Sequence, residues 1–162
     1  MSDLNSVVID MLAGRYRQLA AKVHELAAPL DDAQFWRKPF AFGNSFGHLV
    51  LHLTGNLNYY IGAEIARSGY VRDREREFTE KNRPTKRETL KRFDDAIAIV
   101  VKAIRSQRPD DWGKSYTALR EEDAGNRFGI LLRCVTHLHH HIGQMTYLCY
   151  QLDRESEALG AR

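Results

Sequence analysis

Apolar positions recur at three- and four-residue steps in four separate stretches of the chain, and this spacing predicts four long helices. Val7, Met11, Leu12, Tyr16, Leu19, Val23 and Leu26 form the first stripe, from about residue 3 to residue 28. Ser2 or Asp3 can cap it, and Pro29 ends it, because the residue before a proline avoids the helical region. Residues 30–43 read as a connection whose Phe35, Trp36, Phe40 and Phe42 must pack on something. Asn44 or Ser45 caps a second helix to about residue 67, with Phe46, Leu49, Val50, Leu53, Leu57, Tyr60 and Ile61 as its stripe and Ser68-Gly69 as its stop. Residues 70–84 are mostly charged and read as a loop ending at Pro84. Thr85 followed by Glu88 is a capping box. It opens a third helix, to about residue 107, on Leu90, Phe93, Ile97, Val100, Val101 and Ile104, closed by Pro109. Residues 110–125 read as a long loop with a short strand pair around 115–119. A fourth helix follows over about 127–152, and 153–162 read as a frayed polar tail.

Four such helices with no other strong element predict an all-α fold, a four-helix bundle with a long connection between its second and third helices. Residues 1–152 form one domain on this reading, and 153–162 its tail. The connection is long enough to cross a bundle lengthwise, so a simple up-down-up-down order is not assured. A length of 162 residues, 43% hydrophobic and 28% charged, suits one globular domain and excludes a disordered chain or a fibre. No apolar run approaches the roughly 18–20 residues of a membrane span. The first residues, Met1-Ser2-Asp3-Leu4-Asn5, lack the pattern of a secretory leader. A net charge of +3 does not by itself imply nucleic acid. Cys134 and Cys149 fall on one predicted helix, about 22 Å apart at the helical rise. A bridge cannot span that distance, so both are expected to be reduced thiols in a cytoplasmic protein.

The histidines change the picture. Six of the seven lie in two short clusters, His48 and His52 on the second helix and His137, His139, His140 and His141 on the fourth. His137 and His141 are four residues apart, about 40° around one helix face, the spacing with which a helix offers two imidazoles to one metal ion. They share a stripe with Ile130, Cys134, Met145 and Leu148, so the pair points inward. His139 projects away from both and should be solvated, and His140 sits at the edge of the stripe. His48 and His52 repeat the spacing. Neither lies at the centre of its apolar stripe, but His52 is nearer the flank and His48 is expected to face solvent. One further histidine from a facing helix would complete three imidazoles with an open position, the pattern of a catalytic rather than a structural site.

Ser45-Phe46-Gly47 leading to His52-Leu53-Thr54-Gly55-Asn56, the loop Arg72-Asp73-Arg74-Glu75-Arg76-Glu77-Phe78, and His137 to His141 followed by Gly143-Gln144 together resemble the DinB-like superfamily. The resemblance covers about residues 5–152. It implies a four-helix bundle with a three-histidine metal site, His52 on the second helix and His137 and His141 on the fourth. It implies zinc or nickel as the divalent ion. For some members it implies a low-molecular-weight thiol such as bacillithiol or mycothiol as co-substrate of a transferase or isomerase. Many relatives carry an arginine after the last ligand, where this chain has Ile142, so no role is borrowed for that arginine.

A divalent ion on three imidazoles can lower the pKa of a bound water or thiol, or polarise a carbonyl. The sequence offers no obvious general base beside it. Asn56, Tyr59, Tyr60 and Glu64 lie within three turns of His52 and are candidates to line a pocket. Cys134, one turn before His137, reads as a buried structural thiol. Between residues 72 and 92 there are nine Lys or Arg and five Asp or Glu, in an alternation that reads as a solvated ion-pair loop rather than a nucleic-acid surface. Two functions stay open. One is a metal-dependent transferase or hydrolase acting on a small molecule. The other is a non-catalytic metal-binding bundle serving as a stress-related binding or scaffold protein. Val8, Ile9, Ala96, Ile99 and Ala103 extend the apolar stripes sideways, which predicts a homodimer.

Overall fold

The computed structural model describes residues 3–81, 83–120 and 124–160, with the side chains of 157–160 left aside. Four long helices and two short ones follow in order: α1 (Leu4–Ala27), α2 (Asp32–Trp36), α3 (Phe46–Leu57), α4 (Arg76–Thr79), α5 (Lys86–Arg105) and α6 (Arg127–Gly160). The fold is all-α, and no named strand occurs among the described residues. Each of α1 and α3 packs against both α5 and α6, so the four long helices enclose one core. The core is filled by Tyr16, Phe35, Phe46, Phe93, Leu53, Ile104, Leu131 and Met145, all essentially without exposure.

The caps explain where the helices start. Asp3 accepts from the Ser6 amide, Ser45 from the His48 amide, and Thr85 with Glu88 closes both halves of a capping box. Asp31 and Gln34 form a second capping box that starts α2 inside the connection expected at 30–43. This short helix buries Phe35 and Trp36 against α3, while Phe42 stays exposed with Phe40 stacked on it. The Trp36 indole donates to the Pro84 carbonyl, tying α2 to the segment before α5. Tyr16 donates its hydroxyl to the Leu131 carbonyl at 2.7 Å, a buried link between α1 and α6.

Three local expectations are corrected. The second helix continues past Leu57 as a π-helical stretch, Asn58–Ala63, a widened turn of the kind found at functional sites. The expected strand pair around 115–119 reduces to a single antiparallel bridge between Ser115 and Asn126. α6 continues past the expected end near 152 to Gly160, where Arg37 pairs with Glu155 at 2.6 Å and Gln34 donates to Ser156; residues 161–162 of the expected tail lie outside the described residues. No described helix is long and apolar enough to cross a membrane.

Candidate metal centre

α3 is buried nearly all round, with only Leu51 half-exposed among its residues. It lies beside α6, and the segment after the π stretch folds back so that α4 covers the His52 turn. His52 on α3 thereby meets His137 and His141 on α6. The Nε2 atoms of His52 and His137 are 3.1 Å apart, and those of His137 and His141 are 2.9 Å apart. One ring nitrogen from each of the three lies within 4.8 Å of the other two.

The outer nitrogens fix the tautomers of two rings. His52 donates from Nδ1 to Glu77 Oε2 at 2.9 Å, and His141 donates from Nδ1 to Gln144 Oε1 at 2.7 Å. Both Nε2 atoms are then lone pairs turned inward. Three facing nitrogens share at most one proton among neutral rings, a donor set that suits a cation. Nitrogens bound at the usual 2.0–2.1 Å to one zinc ion lie about 2.9–3.4 Å apart, depending on the coordination angle. The observed separations fit that range. Burial first, then the neighbouring His141 and His52, pushes the His137 pKa down to about 3. Burial pushes His141 down to about 4, against the opposing hydrogen bond to Gln144. Both rings are therefore neutral at ordinary pH, the form that ligates metals.

Behind His52 stands a pair that the sequence reading missed. Glu77 falls in the charge alternation that reads as a solvated loop, but its side chain is 6% exposed and that of its partner Arg72 is 8% exposed. Arg72 Nε donates to Glu77 Oε1 at 2.7 Å and Nη2 donates to Oε2 at 2.9 Å, a bidentate grip that holds the carboxylate against His52. A carboxylate on the far nitrogen of a ligating histidine orients the ring and raises its basicity. Gly55 makes room for it: a Cβ there would overlap the Glu77 carboxylate. The readable signal was this glycine three residues after His52, on the side of the helix to which Glu77 comes.

His48 corrects another expectation. It is 3% exposed rather than solvated, with Nδ1 at 2.6 Å from Ser45 Oγ and its ring edge-on to Trp36. The helical wheel placed it off the apolar stripe, and α2 supplies the cover that a wheel cannot anticipate. Burial, with Lys38 and Arg83 nearby, lowers its pKa. His139 is exposed, as expected, and His140 is exposed at the rim of the site. Cys134 is buried, and neither cysteine is in a disulfide.

The three histidines open onto a cavity of about 710 Å³. Of the pocket candidates, Asn56 and Tyr60 line it, while Tyr59 and Glu64 do not. Asn56 is 4% exposed, and its Oδ1 has no hydrogen-bond partner among the described residues. Tyr60 lies on the π stretch, donates its hydroxyl to the Leu119 carbonyl, and accepts from Tyr116 at its own carbonyl. Arg72, Arg74, Arg120 and Arg133 also line it, with Asn44, Thr136 and Gln144.

A bundle-like helical fold with three convergent histidines from two helices defines a class that includes metal-binding proteins. The family model of the DinB superfamily matches residues 15–145, and the chain belongs to that superfamily. A comparison with curated proteins found no match.

Proposed function

We propose that this chain is a metal-dependent enzyme, a transferase or hydrolase acting on a small polar molecule, with one zinc or nickel ion on His52, His137 and His141. The observation that carries the reading is the convergence of three imidazole nitrogens on an open cavity, with two of the rings locked by Glu77 and Gln144 so that their lone pairs face inward. Borderline nitrogen donors suit zinc or nickel and disfavour calcium or magnesium. An ion held there would supply Lewis acidity, lowering the pKa of a coordinated water or thiol or polarising a carbonyl.

The chain's own residues do the rest. Glu77, gripped by Arg72, keeps His52 aimed at the centre. Asn56 offers a carbonyl oxygen with no partner among the described residues, an acceptor for an O–H or N–H of the substrate. Tyr60 walls the cavity and is itself anchored at both hydroxyl and carbonyl. A non-catalytic site would be sealed or would recruit a fourth protein ligand. The cavity beside the triad and the engagement of His48 with Ser45 and Trp36 both favour the catalytic alternative. A low-molecular-weight thiol is a fitting co-substrate for an open position of this kind.

Cobalt serves as the test probe. The cobalt-loaded protein should gain a near-ultraviolet sulfur-to-metal band when mercaptoethanol is added, and H137A should gain none. A cobalt spectrum indifferent to thiol and to other small ligands would contradict an exchangeable position and favour the non-catalytic bundle.

A further inference from the structure

Residues 70–80, the stretch that carries α4, are held to the bundle by charge rather than by apolar burial. Glu77 is the one residue among them that is buried as a whole. The apolar members contribute little: Val71 is 88% exposed, Tyr70 is exposed, and Phe78 is half-buried with its ring 4.9 Å from that of His52. The stretch also has space on both of its sides. Arg72, Arg74 and Phe78 wall the triad cavity. Val71, Asp73 and Glu77 wall a second cavity of about 540 Å³, which Ile99 of α5 also lines.

A segment with few buried apolar contacts opens locally at low cost. Here the buried ties converge on one turn of α3. The Glu77 carboxylate lies in the notch left by Gly55 and accepts from His52 Nδ1, and Phe78 lies against the same imidazole. Arg72 balances Glu77 from within the segment, with its guanidinium 5.6 Å from the Tyr60 ring centroid. The clasp is therefore a ring whose other nitrogen belongs to the triad. α4 itself is a single turn, in which the Phe78 and Thr79 amides donate to the Glu75 carbonyl. So short a helix does not persist once its packing is lost.

We propose that residues 70–80 form a strap that a divalent ion on His52, His137 and His141 locks against α3. Without the ion the strap opens more readily, which uncovers the His52 turn and removes one wall of the triad cavity. This rests on the metal reading above, but the clasp belongs to the chain's own residues. The coupling is reciprocal by linkage. A carboxylate behind a ligating histidine ordinarily raises metal affinity by about 10–100-fold, so the ion favours the docked strap by the same factor. The cause is polarisation: positive charge on Nε2 makes the Nδ1–H a stronger donor to Glu77.

The test is amide hydrogen exchange of the full chain with and without saturating zinc, occupancy being checked by titration. It is read at Phe78 and Thr79 in α4, with the similarly short α2 as control. Zinc should slow the two α4 amides by about 10–100-fold and leave those of α2 unchanged. The variant R72Q/E77Q removes the clasp without leaving either charge buried alone. Saturated with zinc, it should lose most of that slowing. The parent's response decides by itself if the double variant does not fold. Zinc bound by the parent with no slowing at α4, equal slowing at α2 and α4, or full slowing retained in zinc-saturated R72Q/E77Q would each overturn the strap and leave the metal reading intact. Failure of both zinc and nickel to bind the folded parent would overturn the two together.

Discussion

His137 and His141 on α6 and His48 and His52 on α3 have the same four-residue spacing, but only the α6 pair turns both rings to one point. On α6 the neighbouring space is a cavity, so two stacked rings remain side by side with centroids 4.5 Å apart. On α3 the two rings are claimed by different neighbours. His52 is taken by Glu77 from α4 and faces α6, whereas His48 is taken by Ser45 and covered by Trp36 from α2. Spacing therefore makes a chelating pair available. The partners of the outer nitrogens decide whether it is used.

The comparison breaks most visibly at the α6 pair. H137A or H141A should lower affinity for zinc by more than about 100-fold, beyond the usual cost of losing a supporting residue. A competition titration against a chromophoric chelator reads this directly. Next comes the support of His52. E77Q should weaken zinc binding by about 10–100-fold. It should also lower stability by about 3 kcal/mol, because Arg72 loses the charge that balances its buried guanidinium. G55A should act in the same direction on zinc, since its methyl displaces the same carboxylate. Normal zinc affinity in both variants would remove Glu77 from the account.

A pH effect follows for the metal-free protein. The folded-state pKa values of His137 and His141, about 3 and about 4, lie below the ordinary 6.5. As pH falls, the unfolded chain takes up these protons before the folded chain does. Stability should thus be complete above about pH 6.5 and decline from there toward about pH 3. Thermal melts of the parent should show that decline, and H137A/H141A should show a shallower one.

The smaller effects test the other half of the comparison. H48A should cost about 1–3 kcal/mol in chemical denaturation, for a lost buried hydrogen bond and its packing, with zinc affinity within about twofold of the parent. A large loss of zinc affinity in H48A would show that the two α3 histidines act together. H139A should change stability by no more than about 0.5 kcal/mol and leave zinc affinity alone, because the ring is exposed on the opposite side of α6.

The helices were legible because each carries its stripe and its cap in local sequence. Thr85 with Glu88 opens α5 where the capping box placed it, and the α6 stripe put His137 and His141 inward. The choice of His52 over His48 was weak on the wheel, since neither ring lies on the stripe and the cover over each comes from elements that no periodicity announces. α2 is too short to show a period, yet it buries His48. Glu77 hid for a related reason. It sits in an alternation of opposite charges that reads as surface, and only the fold-back of α4 onto Gly55 brings it inside. The end of α6 escaped because its support is long-range, through Arg37 and Gln34 from the α2 region.

The most direct test of the three-histidine centre is a zinc titration of the metal-free parent beside H52A/H137A/H141A, followed by competition with a chelator. The account expects one equivalent bound by the parent and no comparable site in the triple variant, with both proteins equally helical by circular dichroism. Equal affinity in the two proteins, or a parent that binds no zinc or nickel while correctly folded, would contradict it.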